Sequence, residues 1–582
     1  MSGYYKVKQD SIEDVAEFYA AINRQNLTRK ISADRPYVYT TMEVYDAKNG
    51  IRGAGGLGVL AADTRRVAEK LEIPFVMLTP FYQEERHQKM HDLMPYDFSV
   101  KKSPSDFGFN EIGEVMIKIN GAHDSVLNIY EKQLGSTRFL TMSEPNFGQL
   151  YSGDGSGDHR LYQMVSLGFG GYTALKLARL KPAVIQLNET ATIFAAIARL
   201  DELCSNGMGL YEAIVYVRKH TLYTNHTLVQ AADSSFTYEQ FQKYAFPNIK
   251  SKALRHFIGG LFRDGKLRMS DLTIELAEVK SGVSRLHARV ANYRDLSGAR
   301  VKFDPITNGI DLETWVMPEI LSFYKEKGIV DKFDLPGENY QEILGSIDPT
   351  QLRKLKRLGR AMLNQELAKR QDQNGSSLHI PEDAIVFNYK RRFVSYKRPW
   401  MAFENIDELK TILRDNNAYY IMAGMMPGGT GAGDATYDRI QLMMHQIQED
   451  DFLRERVHYF SNYDESLALV MSVGSDISVN VPEVGWEACG TSFMKDLANL
   501  TVLVSTNDGG VADLDNPPIL EVRGQTYEEE IESLYEQMRL AAEICRDDSR
   551  WAAEITRELG GYLPIISGTR MMQDYLKFLF KP

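Results

Sequence analysis

Between residues 384 and 506, short runs of β-branched and aromatic residues alternate with longer segments whose apolar positions recur at helical spacing. The runs are AIVFNY (384–389), YYIMAG (419–424), VHYFSN (457–462), DISVNV (476–481) and TVLVST (501–506). The pieces between them, KRPWMAFENIDELKTILR, YDRIQLMMHQIQED, DESLALVMSVG and EACGTSFMKDLANL, have helix-forming composition. Strands alternating with helices predict a doubly wound parallel sheet, because parallel neighbours need a crossover and a helix supplies it. An earlier region repeats the logic less regularly. It predicts a strand over PYVYTTMEVY (36–45), a glycine-rich turn, and a helix with Leu60, Thr64, Val67 and Leu71 on one stripe. The strands IPFVMLT and PAVIQLNE (182–189) follow, the second leading into the helix TIFAAIARLDEL.

The stretch from about 312 to 383 is helical and charged, and its most loop-like piece is QDQNGSS (371–377). The expected organisation is therefore an α/β fold with an N-terminal domain over 1–312 and a Rossmann-like domain over 313–582, the last helix returning to the first domain. Two such domains facing each other leave a central cleft at the carboxyl ends of their sheets, where ligands bind.

Composition narrows the class. In 582 residues, 43% are hydrophobic and 25% charged, average for a folded protein and unlike a disordered chain. The net charge of −11 argues against a general nucleic-acid surface. Cys204, Cys489 and Cys545 are too few and too far apart for a disulfide framework or a zinc site. The first residues, MSGYYKVKQDSIEDV, lack an apolar signal core, and no stretch approaches a membrane span. A cytoplasmic protein with no membrane partner is expected.

Three motifs carry candidate chemistry. Gly53, Gly55 and Gly58 in RGAGGLG satisfy GxGxxG and precede a helix. That fits a tight turn, an anion or sugar site at a helix N-terminus, or a dinucleotide site, although no acidic residue closes the next strand. NYKRRFVSYKRP masses Lys390, Arg391, Arg392, Lys397 and Arg398 after a buried-type strand, either as a phosphate site or as a solvated turn. Lys495 lies in a helix beginning around Gly490 and Thr491, followed directly by a buried-type strand. It is either an ordinary solvated lysine or a desolvated amine suited to imine chemistry. No HExxH, GxSxG or GxxxxGK[ST] pattern occurs, and no metal is expected.

Taken together, these segments resemble the α-glucan phosphorylases, the glycogen and maltodextrin phosphorylase family, particularly its shorter prokaryotic members. EACGTSFMKDLANLTVLVSTNDGG is similar to the segment that holds pyridoxal 5'-phosphate, which implies that Lys495 carries the cofactor as a Schiff base. By the same resemblance Tyr45 of MEVY lies beside the pyridine ring, and Gly55, Gly56 and Leu57 approach phosphate and sugar. Glu189 of IQLNET matches an acidic position near the substrate, and His226 of YTNHT contacts the sugar through its backbone. Asn308 of TNGID is similar to an asparagine that binds the 6-hydroxyl. Arg391 and Lys397 point towards the cofactor phosphate and Arg392 towards orthophosphate. Glu487 binds sugar hydroxyls, while Gly490, Thr491 and Ser492 cap phosphate. SNYDESLALV and ISGTRMMQDYLKFL follow the family as well.

The resemblance implies a glycosyltransferase-B fold and reversible, retaining phosphorolysis of glycogen or maltodextrin by orthophosphate to glucose 1-phosphate, with Lys495, Arg392 and Lys397 catalytic. Family members are often homodimers. Departures touch the acceptor side: the family histidine after LN[DE] is Ala191, and MMPGGTGAGDATYD (425–438) replaces a Lys-Ala continuation. Trp486 could stack on a sugar or pack inside, and Phe493 occupies a position usually smaller or polar, which points to a narrowed pocket. A sugar-nucleotide glycosyltransferase of the same fold, or a non-catalytic glucan-binding descendant, are the alternatives.

Overall fold

The computed structural model describes residues 30–51, 55–120, 124–150, 157–227, 233–428, 431 and 433–579. The chain forms two units, one of residues 1–85, 100–307 and 571–582, the other of 86–99 and 308–570.

In the first unit the apolar runs become strands β1 (Tyr37–Thr40), β2 (Phe75–Pro80), β8 (Val184–Asn188), β9 (Thr221–Asn225), β12 (Val279–Gly282) and β13 (Asp304–Pro305). These pair in parallel, and β7 (Thr137–Ser143) pairs parallel to β2. Antiparallel β6 (Ser125–Leu134) and β5 (Asn110–Ile117) complete a nine-stranded sheet in the order β13-β12-β9-β8-β1-β2-β7-β6-β5. β1 and β8 are buried along their whole length, as strands covered on both faces must be. The helices Asp158–Val165 and Phe194–Ser205 pack Leu161, Val165, Phe194 and Ile197 with Leu78, Ile185 and Leu187 in one core. From the last helix, Gly568–Leu579, Met571, Met572, Tyr575 and Leu576 are buried, with Tyr575 in electrostatic reach of Tyr39 on β1.

The expected strand 36–45 is cut short. β1 stops at Thr40, because the Thr41 hydroxyl turns back to the Glu43 carbonyl at 2.9 Å and the Tyr45 N–H leaves the sheet for the Gly58 carbonyl at 2.8 Å.

The second unit holds the expected parallel sheet, ordered β16 (Val457–Phe460), β15 (Ala418–Ala423), β14 (Ile385–Lys390), β17 (Ile477–Asn480), β18 (Val502–Ser505) and a short edge strand, β19 (Leu520–Glu521). All its pairs are parallel. The helices Pro349–Leu367 and Glu465–Gly474 cover one face, joining Leu363, Leu367, Leu467 and Met471 to Val386, Ile421 and Phe460. Strands β3 (Glu84–His91) and β4 (Met94–Lys101) form a two-stranded sheet, and their residues 86–99 belong to this second unit. There the Gln88 carboxamide pairs with the Met426 peptide like one more strand residue, accepting from its N–H at 2.9 Å and donating to its carbonyl at 3.2 Å. Among the described residues, no helix is long and apolar enough to cross a membrane.

Candidate functional site

The first unit places its candidate residues at helix and strand ends. Gly55 is the extended N-cap of the helix Gly56–Lys70, whose first turn carries no acidic residue. Gly56 and Leu57 therefore stand at a positive helix end, although the buried Glu43 carboxylate already accepts the Gly55 N–H at 3.0 Å. Gly53 lies outside the described residues. Tyr45 is half-buried just before this turn.

Glu189 and His226 follow the carboxyl ends of β8 and β9, where open α/β sheets bind ligands. Glu189 Oε1 accepts from the His226 N–H at 2.7 Å and from the Thr227 hydroxyl at 2.9 Å. Burial pushes its carboxyl up to about 6 despite those donors. Its backbone sits at φ 73°, ψ 160°, a conformation that glycine tolerates and other residues adopt only under constraint. The constraint is local: the Glu189 N–H bonds the Thr224 carbonyl at 3.0 Å, and the Thr192 hydroxyl donates to the Glu189 carbonyl at 2.9 Å. Burial, then the neighbouring His287, hold His226 down to about 3, so its imidazole is neutral and lies 2.6 Å from Asn188 Oδ1. Ala191 is buried in the turn Thr190–Thr192 and offers no polar group.

In the second unit the basic run divides by role. Lys390, at the end of β14, is buried and paired with Asp496, which also accepts from the Ser478 hydroxyl at 2.8 Å. Arg398, at φ 49°, donates to the Val481 and Pro482 carbonyls and to Glu530, and so serves the fold. Three cations remain. Lys397 pairs with Glu487, both side chains being nearly buried. Arg391 is 6% exposed and its buried Nε has no partner among the described residues. Arg392 is exposed. Burial works against the Glu487 carboxylate, yet Lys397, then Arg391 and Arg392, hold it below the ordinary range, so all three act on one point. Gly424, at the end of β15, lets the backbone close against this cluster: a Cβ there would lie 1.9 Å from the Arg391 carbonyl oxygen.

Glu487 sits on a turn fixed by buried Asp508, whose Oδ2 accepts the N–H groups of Trp486 and Glu487 at 3.2 and 2.9 Å. Trp486 and Val484 project from this turn, the tryptophan 47% exposed. Asn308 reaches the same loop, donating to the Cys489 carbonyl at 3.1 Å, while its buried Oδ1 has no partner among the described residues. Gly490 follows, Thr491 is the N-cap, and the helix runs Ser492–Ala498, starting one residue later than the sequence pattern suggests. Phe493 is buried edge-on against Tyr562 at 5.5 Å.

Lys495 is 6% exposed, with Nζ 3.1 Å from the centre of the Trp315 ring. Its desolvation follows from the helix being buried from Phe493 to Ala498. Trp315, Asp496, Asn499 and Asp508 escape the sequence reading. Asn499 alone left a local signal, standing four residues after Lys495 on one helix face.

Comparisons with known proteins cover the residues of this site. The carbohydrate phosphorylase family model matches residues 252–518, a span containing Asn308, the basic cluster, Glu487 and Lys495. That match covers just under half of the chain, and relatives of the same kind align with nearly all of it. It is 25% identical to the maltodextrin phosphorylase of Thermococcus litoralis over 94% of its own length and 71% of that protein's. It is 25% identical to the glycogen phosphorylase of Mycobacterium tuberculosis, covering 91% of this chain and 69% of the other. With the glycogen phosphorylase of Aquifex aeolicus identity is 24%, over 91% and 84%.

The likeness to phosphorylases raises the question of pyridoxal phosphate, which needs an amine, a wall compatible with its flat ring, and donors for a dianion. Lys495 against Trp315 meets the first two needs, and the unpartnered Arg391 Nε beside Lys397 meets the third. The residues fit.

Proposed function

We propose that this enzyme carries out retaining phosphorolysis of α-1,4-glucan, glycogen or maltodextrin, by orthophosphate to give glucose 1-phosphate, with pyridoxal phosphate held at Lys495. The observation that carries the reading is the convergence of Lys397, Arg391 and Arg392 on Glu487 in the unit that buries Lys495 against Trp315.

The Lys397–Glu487 pair has partners of opposite charge that match the two halves of such a substrate set. On binding, Lys397 would turn to phosphate oxygens and Glu487 would accept from sugar hydroxyls, so neither buried charge is left alone. Two phosphate groups side by side repel by about 4 kcal/mol per unit-charge pair at ~4 Å and an effective dielectric near 20. Arg391, Arg392 and Lys397 offset that repulsion, and Arg391 brings an unengaged N–H. Asn308, with a free acceptor at its buried Oδ1, would take a sugar hydroxyl. The bound pyridoxal phosphate would contribute its phosphate group as a proton-relay partner for orthophosphate. Orthophosphate itself would protonate the glycosidic oxygen and then close on the same face of the sugar, which retains configuration and asks no protein side chain to be the acid. The family's two-domain glycosyltransferase-B architecture, a cytoplasmic setting and a homodimer belong to this reading.

The test is borohydride reduction of the purified protein with peptide mapping, followed by assay of glucose 1-phosphate release from maltodextrin and phosphate. A pyridoxyl group on Lys495, together with turnover abolished by Lys495→Ala, is expected. Binding of a nucleotide sugar by a protein that takes up no pyridoxal phosphate would overturn the reading.

A further inference from the structure

The helix that carries Lys495 is only seven residues long and cannot hold its own geometry without tertiary support. Its C-terminal end is tied down by an unusual concentration of buried donors. Asn499, its C-cap, is fully buried and uses its whole carboxamide: Nδ2 donates to the Lys495 carbonyl at 2.8 Å and to the Trp315 carbonyl at 2.6 Å, while Oδ1 accepts the Met317 N–H at 2.9 Å. One side chain thus joins the backbone of the lysine to the backbone at and just after the tryptophan that its amine touches. The Asn499 main-chain carbonyl in turn accepts from Lys356 Nζ at 3.1 Å. Lys356 comes from the helix Pro349–Leu367, is 3% exposed, and makes its other hydrogen bond to the Thr501 hydroxyl at 2.7 Å.

Both acceptors of Lys356 are neutral. Nearby Asp476 and Asp496 are engaged by Arg360 and Lys390 respectively, and Cys545 faces the amine from the helix Tyr527–Arg546. Burying an ammonium without a dedicated carboxylate is costly, and burial pushes this one down to about 7. What the position gains is a cation at the carboxyl end of a helix, where the final carbonyls lack intrahelical partners.

We propose that Lys356 and Asn499 are positioning residues for Lys495, forming a hydrogen-bonded relay that fixes the helix end so that the amine stays over the Trp315 ring within reach of the cofactor aldehyde. The inference rests on Lys495 being the pyridoxal-phosphate lysine. Both side chains are buried and spend their polar groups on protein partners, so neither is offered to cofactor or substrate. They act through the backbone of the lysine, where a displacement of about 1 Å is enough to lose productive geometry.

The experiment titrates stripped protein with pyridoxal 5'-phosphate, following tryptophan emission, in which a ring bound beside Trp315 is expected to quench that residue's share, and the absorption of the adduct. Wild type is compared with Lys356→Met, Asn499→Leu and Lys356→Arg. Lys356→Met and Asn499→Leu should raise the Kd at least tenfold and weaken the quenching at saturation, with far-UV dichroism unchanged. Lys356→Arg, which keeps a cation at the helix end, should stay within threefold of wild type. Lys356→Met removes the charge but keeps the bulk, and it decides the matter if Asn499→Leu does not fold. A folded Lys356→Met protein with wild-type Kd and quenching overturns the relay. Absence of a pyridoxyl adduct on Lys495 in the wild type is a separate result, and it overturns the cofactor reading instead.

Discussion

The Lys390–Asp496 pair offers a sharp test of how the second unit is held together. Its side chains are 1% and 0% exposed, at the junction of β14 with the helix that bears Lys495. Burial drives the Lys390 amine below its ordinary value, Asp496 opposes that drive, and the Arg391 charge adds a little to it. In Asp496→Asn the opposition is gone, and the amine sheds its proton rather than remain a bare buried cation. The cost is then set by deprotonating a lysine whose ordinary value is 10.5 at an assay pH of about 7.5, three units at ~1.4 kcal/mol each, or about 4 kcal/mol. This agrees with the ~3–5 kcal/mol usually lost when one member of a buried pair is removed. The sign of the pH dependence follows: the unfolded lysine holds a proton that the folded mutant lacks, so stability of Asp496→Asn should rise with pH by ~1.4 kcal/mol per unit until about pH 10. Lys390→Met/Asp496→Leu, which removes both charges, should recover at least half the loss. All four tryptophans, at 315, 400, 486 and 551, lie within 308–570, so urea unfolding followed by their emission reports the second unit alone. A loss below about 1 kcal/mol with no pH slope would refute the account, because a displaced, water-filled pair would behave that way.

Three further outcomes follow from particular geometries. Glu189→Gly should be more stable than Glu189→Ala by about 1–3 kcal/mol in thermal unfolding, since only glycine relaxes the backbone at φ 73°, and both should lose phosphorolysis. Because the Glu189 carboxyl is raised from 4.5 to about 6, its folded form holds a proton that the unfolded form has lost between those values; stability should fall as pH rises through that window, and Glu189→Gln should abolish the slope. Gln88→Leu strips the Met426 N–H of its side-chain partner, leaving the carbonyl to Arg86, and should cost about 1–3 kcal/mol in the same urea assay, with a higher KM for phosphate through the neighbouring Arg391–Phe393 backbone. Trp486 is the exposed tryptophan, against 1%, 8% and 0% for Trp315, Trp400 and Trp551, so iodide should quench it selectively and maltodextrin should protect it.

Much of the second unit was legible in its alternating runs: AIVFNY, YYIMAG, VHYFSN, DISVNV and TVLVST each cover an observed strand to within one residue, because a strand buried on both faces needs an uninterrupted apolar run. β5 and β6 were not, since their half-exposed residues, such as Glu114, Glu131 and Lys132, dilute the apolar signal. The desolvation of Lys495 was foreshadowed by the strand that follows it, but its aromatic partner was not, for Trp315 is 180 positions away in the chain. The basic cluster was visible as a run of charge. Which members serve the fold and which remain for ligand was decided by Asp496, Glu530 and Glu487, all distant in sequence. Local pattern encodes which segments are buried; the pairing of buried charges is a property of the folded chain.

The hairpin β3–β4 bears on how the protein is made. Gln88 meets Met426 across 338 residues, so at roughly 5–20 residues per second a ribosome needs on the order of 20–70 s to deliver the partner of a side chain it has already released. The helix Gly568–Leu579, which completes the first unit, arrives later still. Neither unit is a continuous stretch of gene, and a truncation at any single point leaves at least one of them without a native piece. Cutting the protein between its halves to study them separately would therefore require moving the hairpin and the final helix to new positions in the chain, a rearrangement of sequence order rather than a simple cut.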